Sequence, residues 1–173
     1  DISEQALETA RRRWNEAAGP TCPHKVSVNQ IPKDIPQCID LAIVATNADV
    51  RAKVVREIAS QWNVRFWVLE KVLTQSVNDL DDLLTLTGSS DGAWVNTSRH
   101  MMPWHRQLGE VLQKAQPLRV CVGNSFWGLA CNSVHFLDLV SWWTGQDLVS
   151  LDVSELNPTW FESKRPGFFE VTG

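Results

Sequence analysis

Apolar residues recur along this chain with two periods. Ile2, Ala6, Leu7, Ala10 and Trp14 repeat at helical spacing ahead of Gly19 and Pro20, which predicts a first helix of about four turns. A loop rich in proline follows (Pro20, Pro23, Pro32, Pro36), interrupted by a short strand candidate at 25–28. The octapeptide IDLAIVAT, residues 39–46, is apolar on both faces, as a central parallel strand requires. Asn47 or Asp49 can cap the next helix, whose Val50, Val54, Val55, Ile58 and Trp62 form one stripe. VRFWVLEK at 64–71 is a second buried strand, and Ser76 with Asp79 resembles a capping box opening a helix over 77–87. Residues 88–92 turn the chain into the strand AWVNT at 93–97.

That alternation with short connections predicts an α/β fold with a Rossmann-type parallel sheet covered by helices. Beyond Pro103 a helix is expected to about residue 114, then a strand at 118–125, a helix at 129–143 ending near Gly145, and a strand at 148–156. The neighbourhood changes there, so residues 1–98 are expected to be a partial dinucleotide-binding domain. Residues 99–173 are expected to begin a second α/β domain with an open sheet.

With 43% hydrophobic and 21% charged residues among 173, the chain has enough apolar material for a core and does not read as disordered. A net charge of −4, with no basic cluster beyond Arg11, Arg12 and Arg13 on a solvated helix face, argues against nucleic acid or acidic lipid as a partner. Cys22, Cys38, Cys121 and Cys131 lack the close pairs of zinc sites and redox dithiols, so no metal site is expected and reduced thiols in a cytoplasm fit best. No apolar run approaches the ~20 residues that cross a bilayer. The chain begins without methionine and stops at FFEVTG, so it is expected to be a fragment of a longer protein.

In open parallel sheets ligands bind beyond the carboxyl ends of the strands, which singles out Thr46, Asn47, Glu70, Lys71, Asn96, Thr97 and Arg99. Polar residues at wet strand ends are also ordinary, but their recurrence after three successive strands is less so. Lys71 can clamp a hydroxyl that loses its proton or donate to a cofactor ribose; it can equally be a surface lysine paired with Glu70. In CNSVHFLDLVSWW, residues 131–143, helical spacing puts Cys131, His135 and Asp138 on one face and Phe136, Leu137 and Val140 largely on another. His135 is thereby expected to stand off the core, where its neutral form can accept a proton; a structural histidine is the competing reading. A Cys131–His135 nucleophile pair is disfavoured, because no third orienting group is identifiable. Of the nine tryptophans, including Trp94, Trp104, Trp142 and Trp143, most are expected in core packing, and Trp127, beside Gly128, is the one nominated as a substrate contact.

These residues resemble the Gfo/Idh/MocA oxidoreductases along nearly the whole chain. DLAIVATNADVRAKVV resembles that family's strand and helix after its aspartate-rich loop, and WVLEKVLTQSVNDLDDL its Glu-Lys-Pro segment. VNTSRHMMPWHRQL resembles the Arg-Arg-Phe-x-Pro region, and GLACNSVHFLDLVSWWTG the helix with Asp-x-x-x-His-x-x-Asp. The resemblance implies hydride transfer between NAD or NADP and a hydroxyl carbon of a sugar, cyclitol or related polyol, and a homo-oligomeric full-length protein. It implies Lys71 and His135 as the catalytic pair; Thr46, Asn47, Glu70, Lys71 and Asn96 toward the cofactor; and Arg99, Trp127, Cys131 and His135 toward the substrate. Glu70 would be the acidic partner of the lysine.

Three departures accompany it. The glycine-rich loop that holds the pyrophosphate would lie upstream of Asp1, so the choice between NAD and NADP stays open. Val72 stands at the motif's proline, which is expected to alter how Lys71 is aimed. Cys131 stands at its first aspartate, which removes a carboxylate that would raise the basicity of the imidazole. Cys131 and Val72 favour the alternative, a catalytically impaired binding or regulatory protein with the same fold. Without the resemblance, the residues show only an α/β domain with an unidentified ligand.

Overall fold

The structure is a computed structural model that describes residues 3–19, 21–29, 35–112, 117–123 and 128–173. Three strands, β1 (Cys38–Val44), β2 (Asn63–Glu70) and β3 (Gly92–Asn96), form a parallel sheet in that spatial order. Helix α2 (Ala48–Gln61) connects β1 to β2 and α3 (Val77–Thr87) connects β2 to β3, so the expected α/β class with a parallel sheet stands.

One face of the sheet carries the core. Val44, Trp67 and Leu69 are buried there against Ala52 and Val55 of α2 and Leu83 of α3, with Ile58 and Ala59 packed at the edge. Register and the two-residue period put Leu41, Ile43, Phe66, Val68 and Trp94 on the opposite face. That face is open: Leu41 is 50%, Ile43 68% and Trp94 55% exposed. The apolar character of β1 on both faces therefore does not mean burial on both among the described residues.

Ser76 caps α3 (Val77–Thr87), its Oγ accepting from the Asp79 amide at 3.1 Å and donating to the Asp79 carboxylate at 2.8 Å. Asn47 holds the cap position of α2 without a side-chain cap bond. The buried stripe of α2 is rotated from the expected one. Val50 is exposed, while Arg51, Ala52 and Val55 are buried.

Helix α1 (Glu4–Ala18) forms with Ser3 as its cap, but none of its described residues is buried. Its arginines lie on a solvated face, with Arg11 bonded to Glu8 and Arg12 to Glu16.

Three expected strands are irregular instead. Residues 25–28 and 118–123 have no strand alongside among the described residues, and an extended segment without a neighbour leaves its amides to water. Residues 124–125 of the second segment lie outside the described residues. Within 148–156, Asp152 Oδ1 accepts from the Ser154 amide at 2.9 Å, a local turn that competes with strand pairing, and Val149 is 97% exposed. Near the end of the chain, β4 (Phe161–Glu162) and β5 (Phe169–Glu170) form a two-residue antiparallel pair.

Helices α4 (Pro103–Leu112) and α5 (Leu129–Thr144) meet where Gly109 lies against the indoles of Trp142 and Trp143. Trp143 Nε1 donates to the His105 carbonyl at 3.1 Å. Trp143 and Trp67 are buried, whereas Trp94, Trp104 and Trp142 are exposed, contrary to the expected core packing of most tryptophans. Trp94 sits on the open sheet face, Trp104 stacks on His105 and Trp142 on His100, so stacking rather than burial accounts for the latter two. No described helix is long and apolar enough to cross a membrane.

Candidate functional site

The carboxyl ends of β1, β2 and β3 lie along one edge of the parallel sheet, and from the end of β2 Lys71 reaches Cys131 of α5. Lys71 is the first residue beyond β2, and its peptide bond to Val72 is cis. Its Nζ donates to the Cys131 carbonyl at 3.1 Å and to Cys131 Sγ at 3.3 Å. Neither bond goes to Glu70. The Glu70 carboxylate instead accepts from Asn96 Nδ2 at 2.8 Å, tying the end of β2 to the end of β3.

His135 lies one turn beyond Cys131. It is half-buried: the four-residue spacing of Cys131 and His135 continues through Leu139 and Trp143, both buried, while Leu137 is exposed. Burial pushes the His135 imidazole below its ordinary value of 6.5, the Lys71 and Arg99 charges push it further, and Glu70 and Asp138 act the other way. Its Nδ1 is buried without a hydrogen-bond partner among the described residues.

Arg99 lies with its guanidinium carbon 4.3 Å from the centroid of the Phe136 ring, a cation–π contact that fixes its side chain on α5. Next to it, His100 Nδ1 is 3.2 Å from Asp138 Oδ2. Lys71, Arg99, Cys131 and His135 therefore gather at α5, with Glu70 and Asn96 paired beside them. Asn47 Oδ1 accepts from Arg165 at 3.4 Å. The Thr46 carbonyl is held by Arg51, and Thr46 Oγ1 is buried without a partner among the described residues. Trp127 lies outside the described residues.

Two contributors escaped the sequence reading. Arg51, 1% exposed, bonds the Thr46, Val72 and Leu73 carbonyls. Its signal was position: it precedes Val55 by four and so shares the buried stripe of α2. Glu170 is buried and accepts from the Ala130 amide at 2.9 Å and the Cys131 amide at 3.4 Å, satisfying the first turn of α5. Gly128, with φ 71°, permits this close approach, because a Cβ there would stand 2.7 Å from Glu170 Oε1. Nothing in the FFEVTG stretch announces that role.

His105, which is buried, and the half-buried His135 make stability pH-dependent. His105 is pushed below 6.5, chiefly by burial and then by Arg99, as His135 is by burial and then Lys71. Between the folded value and 6.5 the unfolded chain binds more protons than the folded one, so unfolding free energy rises with pH there. This contribution is whole above about pH 6.5 and is lost as pH falls through the folded values. Thermal melts of wild type and of His105→Gln are expected to show a Tm that falls below about pH 6.5, less steeply in the variant. Parallel curves would contradict it.

No protein-family model matches the chain, and no curated protein matches it. Among solved structures it is similar to myo-inositol 2-dehydrogenase from Lactobacillus plantarum, with 14% identity, a TM-score of 0.49, and coverage of 63% of this chain and 38% of that one. It is also similar to the WlbA (WbpB) dehydrogenase from Thermus thermophilus in complex with NAD and alpha-ketoglutarate, with 18% identity, a TM-score of 0.44, and coverage of 62% of this chain and 40% of that one. The chain thus spans about two fifths of the length of these structures.

Proposed function

We propose that the chain belongs to an NAD(P)-dependent oxidoreductase acting on a hydroxyl carbon of a sugar, cyclitol or related polyol. Residues 1–98 would serve the dinucleotide, residues 99–173 the substrate, and the full-length protein would assemble as a homo-oligomer. The observation that carries the reading is the Lys71 ammonium seated on Cys131, with the desolvated imidazole of His135 one turn away.

Of the three N–H groups on Lys71, two are directed at Cys131, which leaves one for a substrate oxygen. A substrate hydroxyl accepting that bond becomes easier to deprotonate, because the developing alkoxide meets a fixed positive charge. His135, kept neutral near pH 7 by burial and by Lys71 and Arg99, is available to take the proton. Arg99 adds positive charge on the same side and suits a hydroxylated or anionic substrate group. A nicotinamide, when bound, supplies the hydride acceptor or donor. The residues at the strand ends fit such a cofactor in one specific respect: Thr46 Oγ1 is a buried hydroxyl with no partner of its own among the described residues.

The second reading, a binding or regulatory protein without turnover, is favoured by one observation. Cys131 puts a thiol and a carbonyl, not a carboxylate, against the lysine. Full-length protein assayed with NAD and NADP against a panel of polyols and sugars separates the two. Turnover supports the oxidoreductase; dinucleotide binding without turnover, with activity appearing in Cys131→Asp, supports the impaired protein.

A further inference from the structure

Arg51, in the first turn of α2, is 1% exposed, a costly location for a guanidinium, and burial leads the lowering of its pKa against the opposing charges of Glu70 and Asp49. Among the described residues its hydrogen bonds run to backbone carbonyls. One terminal nitrogen donates to Val72 and to Leu73, the latter at 2.8 Å, and the other donates to Thr46. Val72 and Leu73 are the two residues directly after Lys71; Thr46 lies just beyond β1. The planar fork therefore spans two loops at the edge where the candidate site lies. Hydrogen bonds from a charged donor with fixed geometry hold position more firmly than neutral ones.

We propose that Arg51 is a positioning residue of this site: it ties the segment after β2 to the turn after β1 and so keeps the Lys71 ammonium against Cys131 and beside His135. Lys71 is gripped from both directions, by the β2 ladder on its amino side and by Arg51 on its carboxyl side. A lysine at position 51 keeps the charge and the apolar stem but offers one ammonium, which cannot span both loops in the plane of a fork. The kinetic consequence of the proposal rests on the oxidoreductase reading, while the structural consequence does not.

The test uses the full-length protein and an amine-reactive N-hydroxysuccinimide ester, with acylation of each lysine followed by peptide mass spectrometry. Lys164, which is exposed, serves as the internal reference. In wild type, Lys71 is expected to react slowly relative to Lys164, because it is partly buried and hydrogen-bonded. In Arg51→Gln the ratio is expected to rise several-fold, and in Arg51→Lys by an intermediate amount, with circular dichroism unchanged. Arg51→Lys decides the matter where Arg51→Gln fails to fold. A folded variant whose Lys71 reacts at the wild-type ratio overturns the proposal. On a turned-over substrate, kcat is expected to fall with KM retained. A wild type without turnover removes the oxidoreductase reading and leaves the labelling result to judge Arg51 alone.

Discussion

Replacing Lys71 with methionine in the full-length protein is expected to lower kcat/KM by about 10²- to 10⁴-fold, the range typical of losing a positioned acid–base group. That corresponds to about 3–5 kcal/mol of transition-state stabilisation at 1.36 kcal/mol per decade. Methionine keeps the unbranched apolar stem but has no donor, so the charge and both bonds to Cys131 are removed together. Nucleotide affinity is expected to move far less than turnover, because the pyrophosphate and adenosine of a dinucleotide are bound away from the reacting carbon. Steady-state kinetics with separate titration of the dinucleotide check both halves. An unchanged kcat/KM would remove Lys71 from the chemistry.

Trp67→Ala is expected to destabilise the sheet by about 3–5 kcal/mol, the usual cost of emptying a buried aromatic site. Trp67 is 2% exposed and sits at the middle of β2, between Ala42 of β1 and Ala93 of β3, facing α2 and α3. Small residues on both flanking strands leave the indole to fill that layer alone. Native domains are stable by only about 5–15 kcal/mol, so the loss is a large share of the total. Urea titration followed by circular dichroism measures it, and a midpoint matching wild type would contradict the packing described. Trp94→Ala, on the open face, is expected to cost much less.

Where local rules and tertiary packing agree, the sequence was legible. The apolar runs of β1 and β2, the stripe positions Val54, Val55 and Ile58, and the Ser76 cap all point to the same parallel β–α alternation, and the structure has it. Strands that depend on a neighbour were not legible. The alternation in 148–156 is a strand pattern, but an Asp152–Ser154 turn and the lack of a described partner strand leave it irregular.

The site divides along the same line. Lys71, Cys131 and His135 could be singled out from residue type and spacing, and the structure brings them together at the start of α5. The orientation of α5 could not be read, because a period of four fits either a polar or a buried stripe until Leu139 and Trp143 are seen packed. Arg51 and Glu170 were hidden for a different reason. A charged residue that satisfies backbone groups inside the fold has the same letter as one on the surface, and only its partners distinguish them.

The central claim is that the Lys71 ammonium and the His135 imidazole share one pocket, and the most direct measurement is the titration of the His135 ring by NMR in wild type and in Lys71→Met. Wild-type His135 is expected to titrate below 6.5, and loss of the neighbouring charge to move it upward, while burial and Arg99 continue to depress it and Glu70 and Asp138 to oppose them. An imidazole that titrates at the same pH in both proteins would contradict the account.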